Sequence, residues 1–236
     1  EGKGDGKNPV GYVFEDEIVL PVTPVKDQYR SNTCWSFSGL SFLESELLRL
    51  GKPEVDLSEM FIVRLTYSEK AERYIRMHGN HNFSAGGAFH DVTYIIKKYG
   101  IVPEEVYSGL NYGTQKHNHG EIDAVLKAYV EAIVKNPNNE LSIAWQKGFD
   151  AILDAYFGTI PEKFTYKGKE YTPQSFAASL GLIPDDYVIV TSFSHHPFYS
   201  QFVLELPDNW LHATTYNVPL AELEEIIDYA VQEGYP

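Results

Sequence analysis

Cys34 has the most distinctive chemistry in this chain, because it is the only thiol among 236 residues. It lies in the stretch VKDQYRSNTCWSFSGLSFLESELLRLGKP, where a helix is predicted to begin near the cysteine. Unpaired N–H groups and the helix dipole place partial positive charge at a helix start, and this charge favours the nucleophilic thiolate. The helix itself is predicted from an apolar stripe at helical spacing, formed by Leu40, Leu43, Leu47 and Leu50.

Gln28, six residues before Cys34, is a second group that nucleophilic chemistry could use. The polar stretch YRSNT between them predicts a turn, and this turn would bring the Gln28 amide back towards the sulfur. The amide and the Cys34 backbone N–H could then donate to an oxyanion formed in acyl transfer. From spacing alone a second interpretation stays equally open, in which Cys34 is a small buried hydrophobic residue.

The segment Q-YRSNT-CWSFSGLSFLES resembles the active-site segment of papain-like cysteine peptidases. Three further segments resemble that family, in the family's own order: VDLSEMFI, SAGGAFHDVTYIIKKYGIVPEEVYSG and YNVPLAELEEIIDYAVQEGYP. Four ordered segments make the resemblance specific. It implies a thiol peptidase that acts on peptides through an acyl-enzyme.

The resemblance implies a role for each of five residues. Cys34 matches the nucleophile, and Gln28 matches the glutamine of the oxyanion hole. Trp35 matches the tryptophan after the nucleophile, a residue of the substrate-binding side that supports the core. Gly86 and Gly87 match a loop that lies along bound substrate, since residues without side chains let a peptide backbone approach closely. The resemblance implies no metal and no organic cofactor.

Within the family, the chain is more similar to the branch of bleomycin hydrolase and bacterial aminopeptidase C. Classical papains have a disulfide cysteine just ahead of the nucleophile, whereas RSNTC lacks one, as that branch does. A long block from Gly113 to Tyr216 separates the Gly-Gly half from the last helix, and the branch has a largely helical insertion there. The resemblance therefore implies an aminopeptidase. An endopeptidase and a non-catalytic papain-like binding protein are the alternatives.

The predicted fold class is α+β, with a papain-like helical half, a helical insertion and a barrel half that is largely absent from these residues. Residues 1–113 would form the helical half with the nucleophile and the Gly-Gly loop. Residues 114–216 would form the mainly helical insertion, and residues 217–236 the helix that leads into the barrel. The inward face of that last helix is predicted to consist of Leu220, Leu223, Ile227 and Ala230.

Local patterns predict further elements in the insertion. One helix carries an apolar stripe of Trp145, Phe149, Ile152 and Tyr156. The stretch FTYKGKEYT predicts a short hairpin with its turn at Lys-Gly, and the following Thr-Pro opens a short helix that a glycine closes. The β-branched and aromatic stretch DYVIVTSF is the strongest strand prediction in the chain.

A cysteine peptidase also needs a histidine that takes and returns the proton, and a group that orients this histidine. In the family both come after the last helix visible here, the second in an Asn-Ser-Trp-like segment, and no such segment occurs in the chain. We therefore expect the catalytic His and Asn beyond Pro236 in a longer protein, and this chain alone to be inactive. The expected partners are peptide substrates, the missing C-terminal part or a second polypeptide, and further copies of the chain, because the branch forms closed hexamers.

Five of the eight histidines fit places other than the catalytic base. His78, His81 and His90 flank the Gly-Gly loop, on the wrong half of the fold for the base, and are expected to line or cap the cleft. His117 and His119 lie in a polar loop.

The remaining three histidines follow the predicted strand. His195 and His196 could form a metal-binding pair, but the sequence shows no nearby carboxylate or cysteine spacing that supports one, so no metal site is predicted. His212 is followed by alanine, as is the histidine of the family's catalytic strand. However, it lies before the helix NVPLAELEEII, whereas the family's histidine lies after that helix.

Composition excludes several classes of protein. The net charge of −14 repels phosphate backbones and anionic lipid, so partners of these kinds, nucleic acid and membrane surfaces, are not expected. No apolar run approaches the roughly 20 residues of a membrane-spanning helix. A single cysteine cannot form an internal disulfide, so the compartment stays open between the cytoplasm and export to a periplasm after signal removal.

Overall fold

The computed structural model describes residues 15–138 and 140–236. These residues form seven α-helices and five short strands. The helices are α1 Cys34–Arg49, α2 Glu59–Arg76, α3 Phe89–Tyr99, α4 Gly120–Val134, α5 Ala144–Phe157, α6 Pro173–Leu180 and α7 Leu220–Gln232. The strands are β1 Phe164–Tyr166, β2 Lys169–Tyr171, β3 Val190–Thr191, β4 Ser200–Val203 and β5 Thr214–Asn217.

Helix α1 begins at the cysteine, as predicted. Its leucine stripe faces the core, with Leu40, Leu43 and Leu47 all buried. The prediction for Leu50 is wrong, because the helix ends at Arg49 and Leu50 is 44 % exposed. Gly51 reverses the chain there with a φ of 70°, a left-handed conformation that glycine adopts without strain.

Helix α2 is the centre of the fold, and α1, α3, α4 and α5 all contact it. Most of its residues are buried on every side, which is the pattern of a helix enclosed by others. Ser58 caps it, because the Ser58 hydroxyl accepts a hydrogen bond from the Phe61 N–H at 3.1 Å.

The predicted apolar face of α5 is rotated relative to the observed one. Phe149 is buried as predicted, but Trp145, Ile152 and Tyr156 are only half-buried. The fully buried row is Phe149, Leu153 and Phe157. This row points at α2 and α4, and the predicted residues flank it at the edge of the core.

Strands β1 and β2 form the predicted hairpin, and α6 follows with its predicted cap and stop. The strand prediction over DYVIVTSF is largely wrong, because only Val190 and Thr191 pair, in parallel with β5. Tyr187 instead packs edge-on against Phe42 and Phe89 of the helical half. Tertiary packing of this aromatic ring thus overrides a local preference for strand.

The second sheet has the strand order β3-β5-β4, and α7 follows it directly. No residue of α7 is buried, and Leu220 and Ile227 of its predicted inward face are 62 % and 54 % exposed. The buried core is one continuous cluster that includes residues from both sides of the predicted boundary at residue 113. No helix in the described ranges is long and apolar enough to cross a membrane.

Candidate active site

Cys34 is the first residue of α1, and its side chain is exposed. The exposed residues of this helix lie on one face, at Cys34, Ser38 and Ser41, while the opposite face is buried in the core. The interpretation of Cys34 as a buried small hydrophobic residue is therefore wrong. Among the described residues, the Cys34 backbone N–H has no hydrogen-bond acceptor, so it is available to a substrate oxygen.

The turn before α1 has the strained backbone that is common at functional sites. The Ser31 N–H donates to the Gln28 carbonyl at 3.2 Å, which closes the predicted turn after Gln28. Tyr29 and Asn32 adopt φ values of 49° and 56° within it, which side-chain-bearing residues rarely do. The turn leads from Gln28 into the first turn of α1, and donation of the Gln28 amide to an oxyanion stays a prediction.

The segment from His117 to His119 holds this turn in place through backbone hydrogen bonds. The Arg30 N–H donates to the His117 carbonyl at 2.9 Å, and the His119 N–H donates to the Arg30 carbonyl at 3.1 Å. Both histidines are buried, His119 completely, although the sequence places them in a polar loop. The His119 ring packs edge-on against the Phe157 ring at 5.2 Å. Sequence reasoning missed this support. The only local signal was the alternation of two histidines just before a helix.

The histidines that support the turn are held neutral. Burial, and then the neighbouring His117, lower the pKa of His119 to about 4. Burial also lowers the pKa of His117, opposed by the charge of Asp27. These two rings therefore act as packing groups at neutral pH.

The segment before the turn is anchored by a buried charge cluster. The Lys26 ammonium lies 2.8 Å from Glu44 of α1 and 2.8 Å from Glu59 of α2. Glu44 also accepts hydrogen bonds from the Leu57 N–H at 2.7 Å and the Thr23 hydroxyl at 2.6 Å. Removing one member would leave buried charges unpaired, so the cluster fixes the path of the chain towards Gln28.

The Gly-Gly loop is tied to the residue that follows the candidate nucleophile. The Trp35 indole N–H donates to the Ala85 carbonyl at 2.8 Å, and Trp35 is only 7 % exposed. Lys70 of α2 donates from the other side to the Ser84 carbonyl at 3.0 Å and to the Gly86 carbonyl. The structure therefore brings Trp35 and the loop together, and gives Trp35 the predicted core-supporting position.

Lys70 is unusual because it is almost fully buried beneath this loop. Its ammonium lies 5.8 Å from the ring centre of Trp35 and 5.9 Å from that of Trp210. Burial lowers the pKa of Lys70 to about 8, opposed by the charge of Asp91. Burial in turn raises the pKa of Asp91 to about 6. The Asp91 carboxylate accepts a hydrogen bond from the Ala88 N–H at 3.0 Å at the start of α3.

Gly86 and Gly87 lie so close to other residues of the chain that neither position has space for a side chain. A Cβ atom at Gly87 would lie 2.8 Å from the Trp35 ring and closer still to Asp91. One at Gly86 would lie 2.5 Å from the Asp208 carboxylate carbon. The sequence predicted these glycines because a substrate backbone must come close to the loop. The fold gives a second reason, since a side chain at either position would collide with neighbouring residues. Their role towards substrate stays a prediction.

We predict that Gly87→Ala destabilises the protein by about 1–3 kcal/mol, the usual cost of overpacking. The new methyl group would push on Trp35 and disturb its hydrogen bond to the loop. Urea unfolding measures the free energy. Gly120→Ala is the control, because a Cβ atom there would lie 3.9 Å from its nearest neighbour, Asn118 Oδ1. Equal stabilities of the two variants would contradict the close packing at Gly87.

No histidine of the described ranges makes a hydrogen bond to Cys34 Sγ. His81 contacts the Trp210 carbonyl at 3.0 Å, and its ring lies against His212 at 5.6 Å. His90 lies 3.5 Å from Asp91. His195 and His196 lie beside Glu205. His212, the weak sequence candidate for the base, therefore makes no hydrogen bond to Cys34 within the described part of the chain.

The family model described as papain family cysteine protease matches residues 15–156. "Cysteine proteinase 1, mitochondrial" of Saccharomyces cerevisiae is 25% identical over 119 residues, which are 43% of this chain and 25% of that protein. "Cysteine proteinase 2" of Dictyostelium discoideum is 33% identical over 113 residues, 46% of this chain and 27% of that protein. The matched stretch thus corresponds to about a quarter of the length of these curated relatives.

A solved structure shows the same fold over nearly the whole chain. PepW from Lactobacillus rhamnosis HN001 superposes with a TM-score of 0.72 and 19% identity, covering 93% of this chain and 58% of PepW. This likeness confirms the predicted papain-like α+β fold. Because the family model matches more than half of its residues, the chain belongs to the papain family of cysteine proteases.

Proposed function

We propose that the full-length protein containing this chain is a thiol peptidase with Cys34 as its nucleophile. The Cys34 sulfur attacks the carbonyl carbon of a peptide, and the carbonyl oxygen becomes an oxyanion. The Gln28 amide and the Cys34 N–H donate to this oxyanion. The amine of the next residue then leaves with a proton, and water hydrolyses the acyl-enzyme. The exposed thiol at the start of a buried helix, directly after the strained turn, is the observation that carries this proposal.

We further propose that the protein is an aminopeptidase. This rests on the resemblance of RSNTC and of the block between Gly113 and Tyr216 to the bleomycin hydrolase branch. The likeness to PepW supports it, because it extends past residue 156, where the family model match ends, and includes much of that block. The test compares the hydrolysis rate of a peptide with a free N-terminus with that of the same peptide with an acetylated N-terminus. An aminopeptidase should cleave only the first. Comparable cleavage of both would favour an endopeptidase.

A non-catalytic papain-like binding protein is the second candidate. One observation favours it: no histidine of the described ranges makes a hydrogen bond to Cys34. We propose instead that the catalytic His and Asn come after Pro236, and that this chain alone is inactive. A full-length protein that binds peptides but cleaves none, with an intact Cys34, would support the binding protein.

The exposed apolar residues of α7 fit a chain that packs against further protein. Leu220, Ile227 and Tyr229 are 62 %, 54 % and 65 % exposed, and burying each would contribute roughly 1.5–3 kcal/mol. We propose that the missing C-terminal part, a second polypeptide or another copy of the chain covers this helix. We therefore expect residues 1–236 alone to aggregate, which size-exclusion chromatography would detect as early elution. A monomeric, cooperatively unfolding product would contradict this.

We predict that Gln28→Ala lowers kcat of the full-length peptidase by ~10²-fold, the usual cost of one oxyanion-hole donor. Folding should not change, because Gln28 Oε1 has no hydrogen-bond partner among the described residues. Steady-state kinetics measures the rate, and urea unfolding checks the fold. Gln201→Ala, at an exposed position of β4, is the control. A loss of stability without a specific loss of rate would make Gln28 a structural residue.

A further inference from the structure

Strand β4 returns the chain so that a carboxylate meets the histidine pair. His196 Nε2 lies 3.0 Å and 3.1 Å from the two carboxylate oxygens of Glu205. His195 Nε2 lies 3.7 Å from Glu205 Oε2. The sequence predicted no metal site because it showed no carboxylate near the pair. The fold supplies one from nine residues further along the chain.

The spacing of these three groups fits a shared metal ion. One potential ligand atom from each side chain lies within 4.8 Å of the others. Bonds of about 2.0–2.2 Å to a tetrahedral zinc ion would place two ligand atoms roughly 3.3 Å apart. The observed separations of 3.0 Å and 3.7 Å lie on either side of that value. Two imidazoles and one carboxylate are ligands that zinc accepts, with water at the fourth position.

Neighbouring side chains hold the His196 ring in place, and one of them contacts the His195 ring. The His196 ring stacks on Phe202 at 4.0 Å with an interplanar angle of 19°. The His196 carbonyl accepts a hydrogen bond at 3.1 Å from Asn217 of β5, which is fully buried. The His195 ring packs edge-on against Phe193 at 5.5 Å. The His196 ring is therefore held by packing, which reduces the entropy that binding would cost.

The charge of the group also suits a cation. The chain carries a net charge of −14, so its surface attracts divalent cations. Glu205 adds a carboxylate, the one acidic side chain of the three. Glu205 and His195 are both about 60 % exposed, so an ion has open access from solvent.

We propose that His195, His196 and Glu205 bind one divalent transition-metal ion such as zinc. The ion would join the loop after β3 to the segment after β4. It would thereby brace the three-stranded sheet that leads into α7. This site is independent of the peptidase proposal, because none of its residues has a role in that chemistry.

Zinc binding to the full-length protein tests the proposal, measured by competition with a chromophoric chelator. The Cys34→Ser variant is the background, because it removes the exposed thiolate as a zinc ligand. We expect one zinc ion per chain, and at least a ~10-fold weaker affinity in His196→Ala and in Glu205→Gln. His212→Asn is the matched control, since His212 has a φ of 54°, a conformation that asparagine tolerates. This control should bind zinc as the background does.

Cobalt substitution provides a second readout that does not depend on stability. Visible absorption bands of tetrahedral cobalt should form in the background protein and be lost in Glu205→Gln. Because Glu205 is 62 % exposed, this change should leave the fold intact, which circular dichroism checks. Unchanged zinc affinity in both ligand variants, or no saturable binding in the background protein, would overturn the proposal.

Discussion

Replacing Cys34 by alanine is expected to lower kcat/KM of the full-length peptidase by at least ~10⁴-fold. In the proposed mechanism the sulfur forms the acyl-enzyme, so without it the oxyanion donors would have no intermediate to stabilise. Cys34 is exposed and outside the core, so the change should not affect stability. Hydrolysis of a peptide with a free N-terminus measures the effect, and urea unfolding checks the fold.

Ser41→Ala is the matched control for this change. It lies two turns further along the exposed face of α1 and differs from alanine by one atom. The control should retain the rate of the unchanged protein. If Cys34→Ala retained it too, a thiol mechanism at this residue would be ruled out.

Acidification is expected to destabilise the protein through His119. Its pKa in the folded chain is about 4, below the ordinary value of 6.5. Between these values the unfolded chain takes up a proton that the folded chain does not, so stability is lost as pH falls. Over the whole window the loss approaches about 3 kcal/mol, at about 1.4 kcal/mol per pKa unit. The His119 backbone N–H bonds to Arg30, so the turn after Gln28 should loosen with it.

Urea unfolding of the full-length protein at pH 7 and at pH 5 measures this effect. Carboxyl groups with raised pKa values act in the opposite direction, among them Glu59 at about 7 and Glu104 at about 8. The informative quantity is therefore the difference between the unchanged protein and His119→Phe, which keeps a ring that cannot titrate. His78→Asn is the control, since it changes an exposed histidine. The same pH dependence in all three proteins would contradict a buried, neutral His119.

The parts of the fold that the sequence predicted well are those decided by local chemistry. The start of α1 at Cys34 and the hairpin turn at Lys167 and Gly168 each depend on a few neighbouring residues. Lys167 and Gly168 adopt φ values of 48° and 79°, which suit a two-residue turn between antiparallel strands. The resemblance carried by the segments around Cys34 and Gly86 added the fold class, which the PepW likeness confirms.

The parts that the sequence missed depend on contacts between distant segments. Trp210 and Asp208 fold back onto the Gly-Gly loop, where Arg73 donates to the Trp210 carbonyl at 2.8 Å. His119 lies under a turn that is about ninety residues earlier in the chain. The local sequence pattern cannot predict such long-range contacts, because each of these residues is of a type that is common in loops. The same reason explains why Glu205 was not recognised beside His195.

Alkylation of Cys34 at pH 6 is the most direct test of its nucleophilic role. A free thiol with an ordinary pKa near 8.5 is only roughly 0.3 % thiolate at this pH, so it reacts slowly with iodoacetamide. In the full-length protein, Cys34 should react at least ~10-fold faster than a free model thiol, because the catalytic histidine proposed to follow Pro236 would activate the sulfur. Peptide mapping by mass spectrometry would place the adduct on Cys34. A rate equal to that of the free thiol would contradict a peptidase nucleophile at this position.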